Sequence, residues 1–358
     1  MELLTRTMEA IKPLNNEAKD RVQARLDNLT KPPGSLGVLE DIVLALAGIT
    51  GRQPPAPLRK THVLMAGDHG VTACGVSAFP REVTLQMVLN FANGGAAINV
   101  LARHAGVELL LVDIGVAADL PDLPGLLKRK VSYGTANLAE GPALTREQAI
   151  AALEVGIEVA NDCVRRGAEL LGTGEMGIGN TTPSTAILAA LSGKPVRDIV
   201  GRGTGLDDQR LELKIKAIEQ GLKVNRPDPE DGLDVLAKLG GLEIAGLAGL
   251  ILAGAAARVP VMIDGFISAA AACIAAKLNP LCRRYMIASH LSEEPGHRVM
   301  LQMLGLRPML TMRMRLGEGT GAVLGMTLVD AAVKVLNEMA TFSEAGVAES
   351  LPSAAPTA

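Results

Sequence analysis

Six short apolar runs stand out along the chain, each followed by a turn of small or polar residues. They are His62–Met65, Glu108–Asp113, Ala168–Gly172, Val259–Asp264, Tyr285–Ser289 and Met309–Arg313. Their length and bounding turns predict buried strands. Helical patterns fall between them. Thr145-Arg-Glu-Gln148 is a capping box, and the helix it opens should run to about Arg166 with Ile150, Leu153 and Ile157 on one face. Strands that alternate with helices predict an α/β fold: a parallel sheet with helices on both faces. The most apolar stretch, Leu242 to Ala257, contains Glu243 and is rich in Gly and Ala. It falls short of the ~20 residues that span a bilayer and reads as a buried helix.

The two ends differ from the middle. Residues from about Asn16 to Ile49 are helical in pattern, interrupted by Lys31-Pro-Pro-Gly-Ser-Leu-Gly37, and Pro54, Pro55 and Pro57 then break the chain. A last long helix is expected from Gly321 to about Phe342. The predicted organisation is a large α/β domain over 58–320, a small helical domain made of 1–57 with 321–345, and a flexible tail over 346–358.

Composition narrows the function classes. A length of 358 residues suits about two domains, and 48% hydrophobic residues supply an ample core. Lys plus Arg number 35 against 38 Asp plus Glu, a formal net charge of −3, so no nucleic-acid backbone is expected as a partner. With no Trp, two Tyr and four Phe, base-stacking platforms are not expected either. Cys74, Cys163, Cys273 and Cys282 are isolated and read as reduced thiols. Met1 to Asn15 carries Glu2, Arg6, Glu9 and Lys12 and has no apolar signal core. These features predict a cytoplasmic protein without a membrane span.

Ligands of open parallel sheets bind beyond the carboxyl ends of the strands, so the chemistry is sought there. The run Gly172-Thr-Gly174-Glu175-Met-Gly177-Ile-Gly179-Asn180-Thr181-Thr182 satisfies G-x-G-x-x-G after a strand. Against a dinucleotide site, the next helix should start only at Pro183, and Asp198 precedes Ile199-Val200 instead of ending a strand. What remains is either a glycine loop whose helix N-terminus holds one phosphate or a tight turn that needs glycine. Glu318, among Gly317, Gly319 and Gly321, is the best candidate base, because apolar neighbours would raise its pKa. Glu175 presents the same choice in the other glycine loop. Asp68-His69 lacks a second histidine at ligand spacing, so no metal is expected. The loop from Gly201 to Asp208 opens a helix carrying Lys214 and Lys216, from which a lysine could reach a phosphate.

With these residues the sequence resembles the nicotinate-nucleotide–dimethylbenzimidazole phosphoribosyltransferases of cobalamin lower-loop assembly. The resemblance is carried by Lys31-Pro-Pro-Gly-Ser-Leu-Gly37, Gly67-Asp-His-Gly-Val71, Gly174-Glu-Met-Gly-Ile-Gly-Asn-Thr-Thr-Pro183, Asp231-Gly-Leu-Asp-Val-Leu236, Asp264-Gly-Phe266, Ser289-His290 and Arg315-Leu-Gly-Glu-Gly-Thr-Gly321. These segments stand in family order across about residues 20 to 345. The resemblance implies a Rossmann-like α/β domain, a small domain from both chain ends, and a homodimer. It implies transfer of ribose 5-phosphate from nicotinate mononucleotide to 5,6-dimethylbenzimidazole, giving α-ribazole 5′-phosphate and nicotinate with anomeric inversion and no cofactor. It places the catalytic base on Glu318 and nucleotide contacts on Glu175, Gly177, Asn180, Thr181, Lys214 and Arg315.

One departure concerns the acceptor side, where Phe79, Gln86, Met87 and Leu316 are the expected contacts. Enteric members carry Ser where this chain has Phe79, and Gln86 falls one place earlier than their glutamine. A related base is therefore an alternative acceptor. The competing readings of the chain are a nucleotide-binding oxidoreductase and a non-catalytic nucleotide sensor.

Overall fold

A computed structural model describes residues 1–52 and 58–348. Six strands form one parallel sheet: β1 (Lys60–Gly67), β2 (Glu108–Gly115), β3 (Leu126–Lys128), β4 (Leu170–Met176), β5 (Val261–Ile263) and β6 (Met286–Ala288). Their order is β3-β2-β1-β4-β5-β6, and every neighbouring pair runs parallel. In β1 all residues from Thr61 to Gly67 are buried, as expected of a strand covered on both faces.

Five of the six apolar runs lie on strands. The sixth does not: Met309–Arg313 makes a single parallel bridge, Leu310 to His290, and no ladder. Its residues are half-buried or exposed, so it lacks the covering that sustains a strand. The missed strand, β3, has only three residues, sits at the sheet edge, and is only partly buried. So short a run gives no periodic signal.

The helix opened by Thr145 spans Arg146–Arg165, with Thr145 Oγ1 accepting from Gln148 N. It packs on the Leu242–Ala256 helix, which is buried from Leu242 to Ala255. Here the backbones touch. A Cβ on Gly156 would collide with the Gly246 carbonyl, and one on Gly249 with that of Leu153. Each mid-helix glycine costs about 1 kcal/mol of helix propensity against alanine, but only glycine permits this approach.

The chain divides into two compact units, Met1–Pro13 with Leu58–Thr327, and Leu14–Pro57 with Leu328–Ala358. Met1–Pro13 thus groups with the sheet, where Tyr285 Oη donates to the Lys12 carbonyl at 2.7 Å. In the smaller unit the chain ends meet through a Leu29–Thr341 bridge, and Arg25 Nε donates to the Leu336 carbonyl at 2.7 Å. The expected breaks at Pro54, Pro55 and Pro57, and the tail from residue 349 onward, lie outside the described residues. Among the described residues one helix, Thr320–Glu338, is long and apolar enough to cross a membrane, and 56% of its most apolar window is buried within the protein.

Candidate active site

In this strand order the chain reverses direction of winding between β1 and β4. The crevice outside the carboxyl ends of that pair is where doubly wound sheets bind ligands. A cavity of about 320 Å³ opens there. Residues following β4 contribute Glu175, Gly177, Asn180 and Thr181. Those following β5 and β6 contribute Asp264, His290, Ser292 and Glu294, and the segment Arg315–Glu318 completes the wall. Val76, Phe79, Val83, Met87 and Leu316 supply apolar lining.

Glu318 occupies an unusual backbone. Its φ is +63°, between Gly317 at +84° and Gly319 at +85°. A left-handed conformation costs a residue with a Cβ roughly 1–2 kcal/mol, so other contacts must hold it. The His62 Nε2 donates to the Glu318 carbonyl at 3.1 Å. The Glu318 carboxylate accepts from Ile98 N at 3.3 Å, at the amino end of the Ala97–Ala105 helix, where the helix dipole favours negative charge. Burial pushes the Glu318 carboxyl above its ordinary range and the charge of Asp264 adds to this, while the Ile98 bond opposes both.

The three glycines of this segment each face a titratable side chain. A Cβ on Gly317 would collide with the Glu175 carboxylate, one on Gly319 with the His62 ring, and one on Gly321 with the His290 ring. Glu175 is buried, accepts from Asn180 Nδ2, and is pushed up to about 8 by burial and by the charges of Glu243, Asp264 and Glu318. At neutral pH Glu175 therefore keeps its proton. Glu318 is raised as well, but unlike Glu175 it accepts a backbone N–H at a helix amino end, which favours its charged form.

Lys214 is fully buried and outside the cavity lining. Its Nζ donates to Thr181 Oγ1 at 2.8 Å and to the Gly201 carbonyl at 2.9 Å, and burial pulls it down to about 8. Arg315 Nη1 donates to the Gly203 carbonyl at 3.1 Å, and Glu294 Oε1 accepts from Gly203 N at 2.8 Å. The Gly201–Gly205 loop is thus pinned beside Thr181. Gln86 is exposed and outside the lining; on the Val83–Ala92 helix Val83 and Met87 line the cavity. Phe79 and Leu316 line the cavity and are half exposed.

Gly172 and Gly174 lie within β4 against His62, so their spacing reflects packing on a histidine and not a dinucleotide turn. Gly177 borders the cavity, but a Cβ there would collide with the Gly67 carbonyl. Its glycine is required by the junction of β1 and β4. The helix after this loop begins at Thr181, two residues before Pro183, with Asn180 as its cap residue. Asp198 lies in a short helix, Val196–Ile199.

Residues in and beside the lining differ in how far the sequence showed them. Glu294 and Ser292 belong to no motif. Asp264, which accepts from Ala322 N at 2.8 Å, had a signal in Asp264-Gly-Phe266 after an apolar run. His62 sits inside a strand, where a histidine carries no positional signal. Among the described residues no group of three or more His, Cys, Asp or Glu is placed to hold a metal ion.

Residues 11–347 match a phosphoribosyltransferase family. A nicotinate-nucleotide–dimethylbenzimidazole phosphoribosyltransferase from Geobacter sulfurreducens is 59% identical over 349 residues, 98% of this chain and 99% of its own. One of the same name from Chloroflexus aggregans is 58% identical over the same shares. The crystal structure of CobT from Thermus thermophilus superposes with a TM-score of 0.90 at 50% identity, covering 93% of this chain and all of that one. Matches of this length and identity, on a sheet whose switch point carries the glycine-flanked glutamate, show that the chain belongs to the nicotinate-nucleotide–dimethylbenzimidazole phosphoribosyltransferase family.

Proposed function

We propose that this chain moves ribose 5-phosphate from nicotinate mononucleotide to a nitrogen of 5,6-dimethylbenzimidazole or a related base. The products are α-ribazole 5′-phosphate and nicotinate, with inversion at the anomeric carbon, in assembly of the cobalamin nucleotide loop. The observation that carries this reading is Glu318: a carboxylate in the cavity wall, raised by burial into the range of a general base and accepting a backbone N–H that favours its charged form.

The chemistry asks little else of the protein. Nicotinate in the mononucleotide is a pyridinium and leaves as a neutral ring nitrogen, so the leaving group needs no acid. The acceptor carries N–H on one nitrogen and a lone pair on the other. As the lone pair attacks the sugar, positive charge grows on the ring, and Glu318 removes it by taking the proton. General-base help of this kind contributes typically ~10²–10⁴-fold. Holding both substrates in one cleft supplies much of the rest.

In this reading Glu175, Asn180, Thr181 and Arg315 contact the nucleotide, Gly177 holds the wall they stand on, Lys214 acts through Thr181, and Phe79, Met87 and Leu316 wall the base. The smaller unit serves as a separate helical domain, and the protein works in the cytoplasm as a homodimer. Incubation with nicotinate mononucleotide and dimethylbenzimidazole should release nicotinate only when both are present. Nicotinate release independent of the base would point to hydrolysis and reject the transfer. A single monomeric species by light scattering would reject the dimer.

A further inference from the structure

We propose that His62, which lies outside the cavity lining, is a positioning residue that fixes the Glu318 carboxylate by holding its peptide. The proposal rests on Glu318 being the base.

The imidazole is completely buried in β1. Its Nε2 sits 3.1 Å from the Glu318 carbonyl, and a carbonyl only accepts, so the ring proton is on Nε2. Nδ1 is buried without a partner among the described residues. A second proton there would be an uncompensated charge, and burial accordingly holds His62 down at about 4. The ring is therefore neutral at neutral pH and passes no proton on to the substrates.

What it can do is steric and directional. The ring fills a slot between two backbones, since a Cβ on either Gly174 or Gly319 would collide with it. Three successive residues, Gly317 to Gly319, take left-handed φ, and among the described residues the only direct side-chain anchor on the Glu318 carbonyl is His62. Without that donor the carbonyl would be buried unpaired, and the peptide would rotate to find another partner. Rotation would swing the carboxylate off Ile98 N. An apolar residue of equal size would fill the slot but not fix the peptide, which explains a histidine at a position where strands carry aliphatic side chains.

The test compares His62→Met, which fills the slot without a donor, with His62→Gln, which keeps an amide donor, each alone and combined with Glu318→Gln. His62→Met should lower kcat by about 10–100-fold, the scale of a 1 Å misplacement, with KM for nicotinate mononucleotide little changed. It should also shift the acid limb of the pH–rate profile. His62→Gln should recover most of kcat. On the Glu318→Gln background His62→Met should cost nothing further, because both act on one group. Full additivity, or a folded His62→Met enzyme with native kcat, would overturn the role of His62 and leave the base intact. Native turnover by Glu318→Gln would instead overturn the base.

If His62→Met fails to fold, ¹⁵N-histidine spectra of the native protein decide the matter. Two histidines, His62 and His297, should show a proton on Nε2, none on Nδ1, and no titration from about pH 5.5 to 9, and the one that a His297→Gln substitution leaves in place is His62. The His62 resonance should be perturbed by Glu318→Gln. If no such histidine is present, or the perturbation is missing, the proposal falls.

Discussion

His69 Nε2 lies 2.8 Å from Glu243 Oε1, and neither side chain reaches solvent. Burial alone would favour neutral His69, but the charge and hydrogen bond of Glu243, with help from Asp68, outweigh it and raise the histidine. Its contribution to stability is present below the unfolded value of about 6.5 and is lost as pH rises through the higher folded value. Glu243→Gln removes the charge and keeps the shape, and breaking a buried pair typically costs ~3–5 kcal/mol. The loss should be largest in acid and shrink at high pH, read by thermal unfolding across pH. A loss independent of pH would mean that His69 is not charged in the fold.

Glu318→Gln should leave the fold and nucleotide binding in place and slow turnover at neutral pH by at least ~10²-fold. In the native enzyme activity should fall as pH drops through the raised Glu318 value, so the acid limb stands above that of an ordinary carboxylate. Because the charge of Asp264 helps raise it, Asp264→Asn should move that limb to lower pH. A limb that stays put would show that another group sets it.

Lys214 touches Thr181 and the Gly201 carbonyl rather than the cavity, so Lys214→Met should act on substrate through them. KM for nicotinate mononucleotide should rise about tenfold, with a smaller effect on kcat. As pH rises through about 8 the ammonium loses its charge, and native KM should climb there. The climb should be missing in the variant, and steady-state kinetics between neutral and mildly alkaline pH would show it.

Gly177→Val should destabilise the junction of β1 and β4, because a Cβ collides with the Gly67 carbonyl and meets the His69 ring at 3.1 Å. Both substrates should weaken together, with a lower melting temperature. Selective loss of the mononucleotide by a fully stable variant would instead place Gly177 at the phosphate.

The cavity wall proposed to meet the acceptor is apolar, from Val76 through Phe79 to Leu316. A missing methyl group costs such a pocket only ~1–3 kcal/mol of discrimination. Benzimidazole and methylbenzimidazole should therefore react within about two orders of magnitude of dimethylbenzimidazole. An N-methylated benzimidazole should be much poorer, since Glu318 would find no proton. Equimolar competition separates these outcomes, and normal turnover of the N-methylated base would sink the base mechanism.

The sheet was legible where burial writes a continuous apolar run, as in β1 and β2, and illegible at β3, where three residues suffice at an edge. Met309–Arg313 misled because apolar content alone does not supply a covering layer. At the site, the glycines around Glu318 pointed to it, but what each glycine makes room for was hidden. Glu175 and His62 lie on β4 and β1 and His290 two residues past β6, and no local pattern announces that they meet one segment. For Gly177 and Lys214 the surroundings were not legible: the one packs backbone on backbone against Gly67, and the other is buried against Thr181 and the Gly201 carbonyl.

The sixth strand ends at Ala288, while Glu318 lies thirty residues further along the chain. Its anchors, His62 and Ile98, are made more than two hundred residues earlier. During synthesis at ~5–20 residues per second, all six strands are therefore on hand for ~2–6 s before the Glu318 carboxylate exists. The nascent protein passes through a stage with all its strands made, and with the His62 ring and the Ile98 amide still waiting for their partner. Glu318 can take its place only after both anchors have been made, so the short segment that carries it meets partners already present in the chain.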